Sequence, residues 1–493
     1  MDNSQHADMV DCPSDLAEIA EDRFYNEDIA PTTLERRTWD KWHIAALWVG
    51  MSVCVPTYML ASSLVQSGMD WKQAIGTVFL ANFLVLIPMI LNAHAGTKFG
   101  IPFPVYCRTA FGLVGANVPA LMRGLVACGW FGIQTWIGGS AMYEMLAAMM
   151  PAVKEAPALP LIGENPWQFA CFLAFWVLNM AIVWRGIDSI QFLEKWGAPF
   201  LIFIGFALLV WAYLKADGFG PMLSEPSKLS TWGEFMAVFA PGLTANVSFW
   251  ATLSLNIPDF TRFARSQRDQ VMGQAMGLPP TMTAFAFIGV AVTSATVVIF
   301  GEPVWDPIQL LGRIGKGSPF IVFLSMSAFA IATLTTNLAA NVVSPANDFA
   351  HLAPKYITFR IGGLITGILG IFICPWYLLA RPDAYIFTWL GGYGSLLGSI
   401  GGILLVEYWL IQKRNLELRD LYRVGGKYPT WRPLAILAFF LGAAPCVPGF
   451  LNSIGAIQLD DGFFKTLYGY SIFVSAGTAA VLHLIFSLSR RGE

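Results

Sequence analysis

ALWVGMSVCVPTYMLASS, residues 46–63, is almost wholly apolar yet carries Gly50 and Pro56, two residues that weaken a helical hydrogen-bond ladder. A second stretch of the same kind, FAPGLTANVSFWATLSLNIPDF at 239–260, carries Pro241, Gly242 and Pro258. Glycine and proline interruptions in corresponding apolar segments of two halves are the sequence mark of a transporter site built on broken helices. Prolines that merely kink continuous membrane helices are the alternative, and these two stretches alone leave both readings open.

Working outward, the chain shows twelve apolar stretches, each near the roughly 20 residues a helix needs to cross a bilayer. Their limits are 42–66, 73–95, 115–150, 166–184, 194–214, 233–257, 276–300, 318–345, 355–379, 383–411, 433–453 and 464–488. The runs are continuously apolar, so helices are expected; barrel strands would alternate over about ten residues. The two interrupted segments head groups of five, spans 1–5 and 6–10. An odd number per group inserts the second copy upside down. The expected organisation is therefore a first repeat at 42–214, an inverted second repeat at 233–411, a loop at 412–432 and two further helices at 433–488.

Composition agrees. The 493 residues are 56% hydrophobic and only 13% charged, too few ionisable groups to cover a water-facing globule of this size. A net charge of −2 excludes the broad positive field of a nucleic-acid binder. Of the 30 Lys and Arg, only Lys72, Lys154, Lys215, Lys228, Arg313, Lys316, Arg381 and Lys465 fall in the loops that face outward if the N-terminus is cytoplasmic. This bias predicts cytoplasmic termini, residues 1–41 and 489–493, in a multi-pass protein of the cell membrane. The first of these is acidic and is expected to be a loose, partly disordered tail.

Seven scattered cysteines without a CxxC pair read as buried free thiols. The five histidines are dispersed, and no HExxH, GxSxG or GxxxxGK[ST] motif is present. An enzyme is not expected. Nor is transport driven by nucleotide hydrolysis, which points to an ion gradient as energy source, with no cofactor and no obligate protein partner.

Span 3 contains GWFGIQTWIGG, residues 129–139, in which Trp130 and Gln134 share a helix face. Gln134 is either a helix–helix clasp or a ligand group; a carboxamide in lipid demands a partner in both cases. In span 8, FAIATLTTNLAANVVSPANDF at 329–349, Ala332, Thr335 and Thr336 lie on one face, and Asn341 is turned away by roughly 120–140°. The two hydroxyls suit a hard cation beside freed carbonyls, or simply bond back to their own helix. Gly394, Gly398 and Gly402 in span 10 read as a packing ladder.

RRTW (36–39), GIPFPVYCRTAFG (100–112), WFGIQTW (130–136), TTNLAANVVSPA (335–346), VEYW (406–409) and ELRDLYRVGGKYPTWR (417–432) together resemble the nucleobase:cation symporter-1 family, carriers of hydantoins, allantoin, cytosine and uracil. The resemblance implies an all-helical, LeuT-like five-plus-five inverted repeat with two extra C-terminal helices. It implies that Trp130 and Trp250 sandwich or flank a flat neutral ring, with Gln134 and Asn341 bonding its amide edges. It further implies a cation site from the carbonyls of Gly50, Val53 and Ala332 with the hydroxyls of Thr335 and Thr336, and a gate at Trp389 and Leu390. Sodium is the expected coupling ion and proton the alternative; an uncoupled facilitator is a further one. Cys54 stands where the hydantoin carrier has a glutamine beside its substrate, which disfavours hydantoin itself.

Overall fold

In the computed structural model, residues 9–489 are described except 22, 186, 316, 317, 354, 382, 383, 460 and 461, along with the side chains of 187–198, 200, 339, 343, 347 and 387. Lys195, Lys316, Arg490 and Arg491, used above to orient the chain, lie outside these described side chains. Within them the chain is helical, the one extended pairing being an isolated bridge between Trp39 and Ala264. Lipid offers no partner for a backbone N–H or C=O, so an apolar chain satisfies both within helices.

Span 1 is a bent pair, Lys41–Ser52 and Val55–Gln66 at 59°, and span 6 is another, Trp232–Phe249 and Ala251–Thr261 at 41°. Spans 2, 3, 4 and 5 are Trp71–Phe99, Asn117–Met149, Pro166–Arg185 and Ile187–Lys215. Spans 7, 8 and 9 are Gln267–Phe300, Pro319–Asn341 and Phe359–Phe372. Span 10 runs over Ala384–Ile411, span 11 over Pro433–Ser453 and span 12 over Ser471–Ser489. Seven helices are individually long and apolar enough to cross a membrane, and the bent pairs raise this to nine among the described residues. Leu201–Lys215 and Phe359–Phe372 are shorter apolar helices and Asn117–Met149, of 33 residues, is a further apolar helix, so the order is consistent with twelve spans.

Side-chain caps start the two broken spans and span 2. Asp40 accepts from the N–H groups of Trp42 and His43, and Asp70 with Gln73 and Thr231 with Glu234 form reciprocal capping boxes. Span 3 lies along span 8, span 7 along spans 1, 2 and 5, and span 10 along span 12. At the last of these contacts a Cβ on Gly402 would strike the Ala476 carbonyl, so the glycine ladder does serve close approach.

Two expectations need correction. Residues 9–40 are packed, not loose: Leu16, Phe24 and Ile29 are buried, and the Arg37 guanidinium donates to the carbonyls of Val10, Thr32, Thr97 and Lys98. The many acids of this segment obscure the few apolar anchors that fasten it. Of the seven cysteines, all are free, but Cys374 is exposed and Cys12 and Cys171 are only half-buried.

Candidate functional site

The break in span 1 falls at Val53 and Cys54, between Gly50 and Pro56. Cys54 is extended, with φ −146° and ψ 160°, and so interrupts the ladder fully. In a continuous helix the Cys54 and Thr57 N–H groups would reach the carbonyls of Gly50 and Val53. Instead they bond the carbonyls of Ser52 and Cys54, at 3.1 Å each. Among the described residues, the Gly50 and Val53 carbonyls accept no hydrogen bond. The Cys54 Sγ lies 3.2 Å from Thr57 Oγ1.

Span 8 packs against the first half of span 1, Lys41–Ser52. Its Thr335 and Thr336 hydroxyls donate to the Ala332 carbonyl at 2.8 and 3.1 Å, the back-bonding alternative considered above. The same bonds gather three oxygens at one spot on the helix. A cation there would be met by the hydroxyl lone pairs once the protons turned aside, whereas the carbonyls of span 1 need no change.

The break in span 6 lies at Trp250 (φ −96°, ψ 4°), between Phe249 and Ala251. It is not at Pro241 or Gly242, which the helix Trp232–Phe249 runs through. A proline inside a membrane helix costs one N–H donor, and neighbouring groups absorb that loss. Trp250 packs edge-on against Trp48 at 5.2 Å and Phe249 at 4.9 Å, and its indole N–H donates to Asn82 Oδ1 at 3.0 Å.

Trp130, buried on span 3, is met edge-on by Phe249 at 5.0 Å, Trp389 at 5.9 Å, Tyr385 at 6.2 Å and Tyr393 at 6.3 Å. Phe249 thus touches both tryptophans expected to hold the ring and stands between them in this conformation. Trp389 lies across the span 3 backbone where Gly129 leaves room; a Cβ there would collide with its indole. Leu390, the other expected gate residue, is fully buried beside it.

The two carboxamides have unlike surroundings. Gln134 is 4% exposed, and its Oε1 is buried without a hydrogen-bond partner among the described residues. Asn341 ends a relay across three spans: Asn341 Nδ2 donates to Asn337 Oδ1 at 3.0 Å, and Asn337 Nδ2 reaches Asn179 Oδ1, Thr135 Oγ1 and the Phe131 carbonyl at 3.1–3.3 Å. Asn179 Nδ2 in turn donates to the Phe175 carbonyl at 2.8 Å. A backbone carbonyl only accepts, so the two carbonyls fix every amide in the relay, and Asn341 is left with Oδ1 as its free acceptor.

Both ends of the cluster are bounded by buried groups. Tyr385 OH donates to the Pro56 carbonyl at 3.4 Å and Tyr393 OH to the Ser248 carbonyl at 2.8 Å, so span 10 reaches both broken helices. About two helical turns, or about 10 Å, before Trp130 along span 3, Arg123 pairs with Asp348 at 2.7 Å, each 1% exposed. Arg123 also reaches Asn256 of span 6 at 2.9 Å when that amide is oriented by the Thr252 carbonyl; Ser344 Oγ lies 3.0 Å from Asp259 Oδ2.

Sequence reasoning missed Phe249, Asn337, Asn179, Tyr385 and Tyr393. Only Asn337 gave a signal, four residues before Asn341 on the same face.

Two broken helices around a buried cluster of aromatic rings and carboxamides define a multi-pass membrane carrier. Comparison specifies it. The family described as permease for cytosine/purines, uracil, thiamine and allantoin matches residues 31–474, and the chain belongs to that family. It is 48% identical over 473 residues to a purine-uracil permease of Arabidopsis thaliana, covering 95% of this chain and 78% of the relative. To an allantoin permease of Bacillus subtilis it is 37% identical over 464 residues, covering 94% and 93%. Its fold is that of a nucleobase-cation-symport-1 family transporter solved in a closed conformation with bromovinylhydantoin bound, with TM-score 0.75, 23% identity and coverage of 94% and 95%. The protein is a membrane permease of the nucleobase and allantoin class and not an enzyme.

Proposed function

We propose that the protein imports a small neutral planar heterocycle, of the allantoin, hydantoin or pyrimidine type, together with a cation, Na+, by alternating access across the cell membrane with both termini cytoplasmic. Trp130 and Trp250 flank the ring, Gln134 and Asn341 bind its polar edges, and Trp389 with Leu390 closes over it. The Gly50, Val53 and Ala332 carbonyls with Thr335 and Thr336 hold the ion, and Cys54 lies beside the ring.

The observation that carries this reading is a pair of unmet demands in the buried interior. Gly50 and Val53 present carbonyls without donors, and Gln134 presents a buried carboxamide oxygen without a donor. The first demand suits a cation. The second suits an N–H, as does Asn341 Oδ1, whose orientation the relay fixes. A ring with two N–H groups flanking carbonyls meets both carboxamides.

Uptake of radiolabelled allantoin, uracil and hydantoin into proteoliposomes, with and without a sodium gradient, tests the proposal. Accumulation of none of them would overturn it; equilibration without accumulation would mean a facilitator, and accumulation on a proton gradient alone would replace sodium by proton. Asn341→Ala is expected to abolish binding, since each buried edge left unpaired costs about 1–3 kcal/mol. A substrate N-methylated at its ring N–H should fail on the native protein in the same way.

A further inference from the structure

Where span 10 ends, a groove of about 400 Å³ opens between the loop before span 11 and the end of span 12. Lys427, Arg432, Gln412, His483, Leu434 and Phe486 line it. One carboxylate, Glu407, lies buried behind it and is already engaged. Glu407 Oε1 accepts from Arg432 Nη1 at 2.8 Å and Gln412 Nε2 at 2.7 Å, and Oε2 lies 2.9 Å from His483 Nε2. Among the described residues Arg432 makes no other side-chain hydrogen bond, and the exposed Lys427 ammonium makes none. Two cationic heads therefore have donors to spare in one groove.

His483 supplies the second observation. It is 2% exposed, and its Nδ1 is buried with no partner among the described residues. A carboxylate only accepts, so Nε2 carries the proton and Nδ1 of the neutral ring is an acceptor. The groove thus offers cationic donors for an anion and one buried acceptor for a hydroxyl. Its apolar side continues along Leu437, Ile485 and Leu488, whose side chains are exposed along the outside of spans 11 and 12.

We propose that this groove binds an anionic glycerophospholipid whose headgroup bears a free hydroxyl, of the phosphatidylglycerol kind. The phosphate is held by Lys427 and Arg432, the hydroxyl donates to His483 Nδ1, and the acyl chains follow the apolar outer face. Basic pockets between helices at a membrane interface recognise anionic headgroups by this combination of charge and shape.

Native mass spectrometry of the full-length protein in detergent, titrated with phosphatidylglycerol, phosphatidic acid, phosphatidylcholine and inorganic phosphate, tests the site. The expected result is one phosphatidylglycerol per chain, retained at least tenfold over the other two lipids and not displaced by millimolar phosphate. Lys427→Ala, which alters an exposed side chain, and Ser487→Trp, which fills the groove from its lipid side, should each lower retention about tenfold. Equal retention of phosphatidic acid would overturn the role of His483, and equal retention of phosphatidylcholine would overturn the site. Displacement by inorganic phosphate would show a soluble anion to be the ligand, and unchanged retention in both variants would place the lipid elsewhere.

Discussion

Spans 1 and 6 occupy equivalent places in the two repeats, yet they break differently. Span 1 breaks through an extended residue, Cys54, and leaves the Gly50 and Val53 carbonyls without donors. Span 6 bends less, 41° against 59°, at a residue near helical conformation. Its ladder tightens across the bend: the Trp250 N–H reaches the Val247 carbonyl, the Ser254 N–H reaches the Trp250 carbonyl at 2.7 Å, and Tyr393 tends the Ser248 carbonyl. The first break presents backbone oxygen, and the second presents side chains, Phe249 and Trp250. One helix is opened for its main chain, the other to aim two rings. Under the proposed function, the duplicated architecture is divided between two kinds of ligand, an ion that wants bare carbonyls and a flat molecule that wants aromatic walls.

If that division holds, substitutions at the two breaks should separate ring from ion. The largest effect is expected at Trp250→Ala, which empties the contacts with Trp48 and Phe249 and strands Asn82. It should cost about 3–5 kcal/mol of stability and remove ring binding, measured by thermal unfolding and by substrate titration. A variant that still bound the ring would place the aromatic wall elsewhere. Thr336→Ala should be milder. Loss of one oxygen, about 1 kcal/mol, should raise the half-saturating sodium concentration several-fold while leaving cation-free ring binding as it was. Equal damage to both would mean the two sites are one. The smallest effects separate the two tyrosines. Tyr393→Phe forfeits a 2.8 Å bond worth about 1 kcal/mol and should lower the melting temperature by about one degree in a chain of this length, whereas Tyr385→Phe forfeits a long 3.4 Å bond and should be close to neutral. The reverse order would show the contact of span 10 with span 1, and not that with span 6, to be the stronger of the two.

Much of this was legible in the sequence, and the part that was not has a physical reason. Continuous apolar runs announce membrane helices, and Gly50 with Pro56 brackets the true break of span 1. In span 6 the same reasoning pointed at Pro241, Gly242 and Pro258, which lie eight or more residues to either side of the bend at Trp250, because proline position records only where a donor is missing. Whether the helix gives way there depends on what packs around it. Trp130, Gln134 and Asn341 stood out in family motifs; Trp130 lies within the aromatic cluster, and the two carboxamides are buried. Their geometry depends on contacts between spans distant in sequence: Phe249 between the two indoles, Asn337 and Asn179 behind Asn341, and Tyr385 and Tyr393 above. Spacing along a helix fixes which face a residue takes, and only the packed bundle decides what that face meets.

Tyr385 and Tyr393 sit two turns apart on span 10, and each rests on a different broken helix. A single rigid element therefore touches both halves of the machine. Were each break latched by its own segment, ion and ring could come and go independently, and the gradient would leak. In the import cycle proposed above, one latch resting on both would be lifted by a displaced span 1 or span 6 alike, so closure would require both helices to have settled. In that cycle span 10 would act as an AND gate, in which coincidence and not occupancy of either site permits the turnover of the carrier.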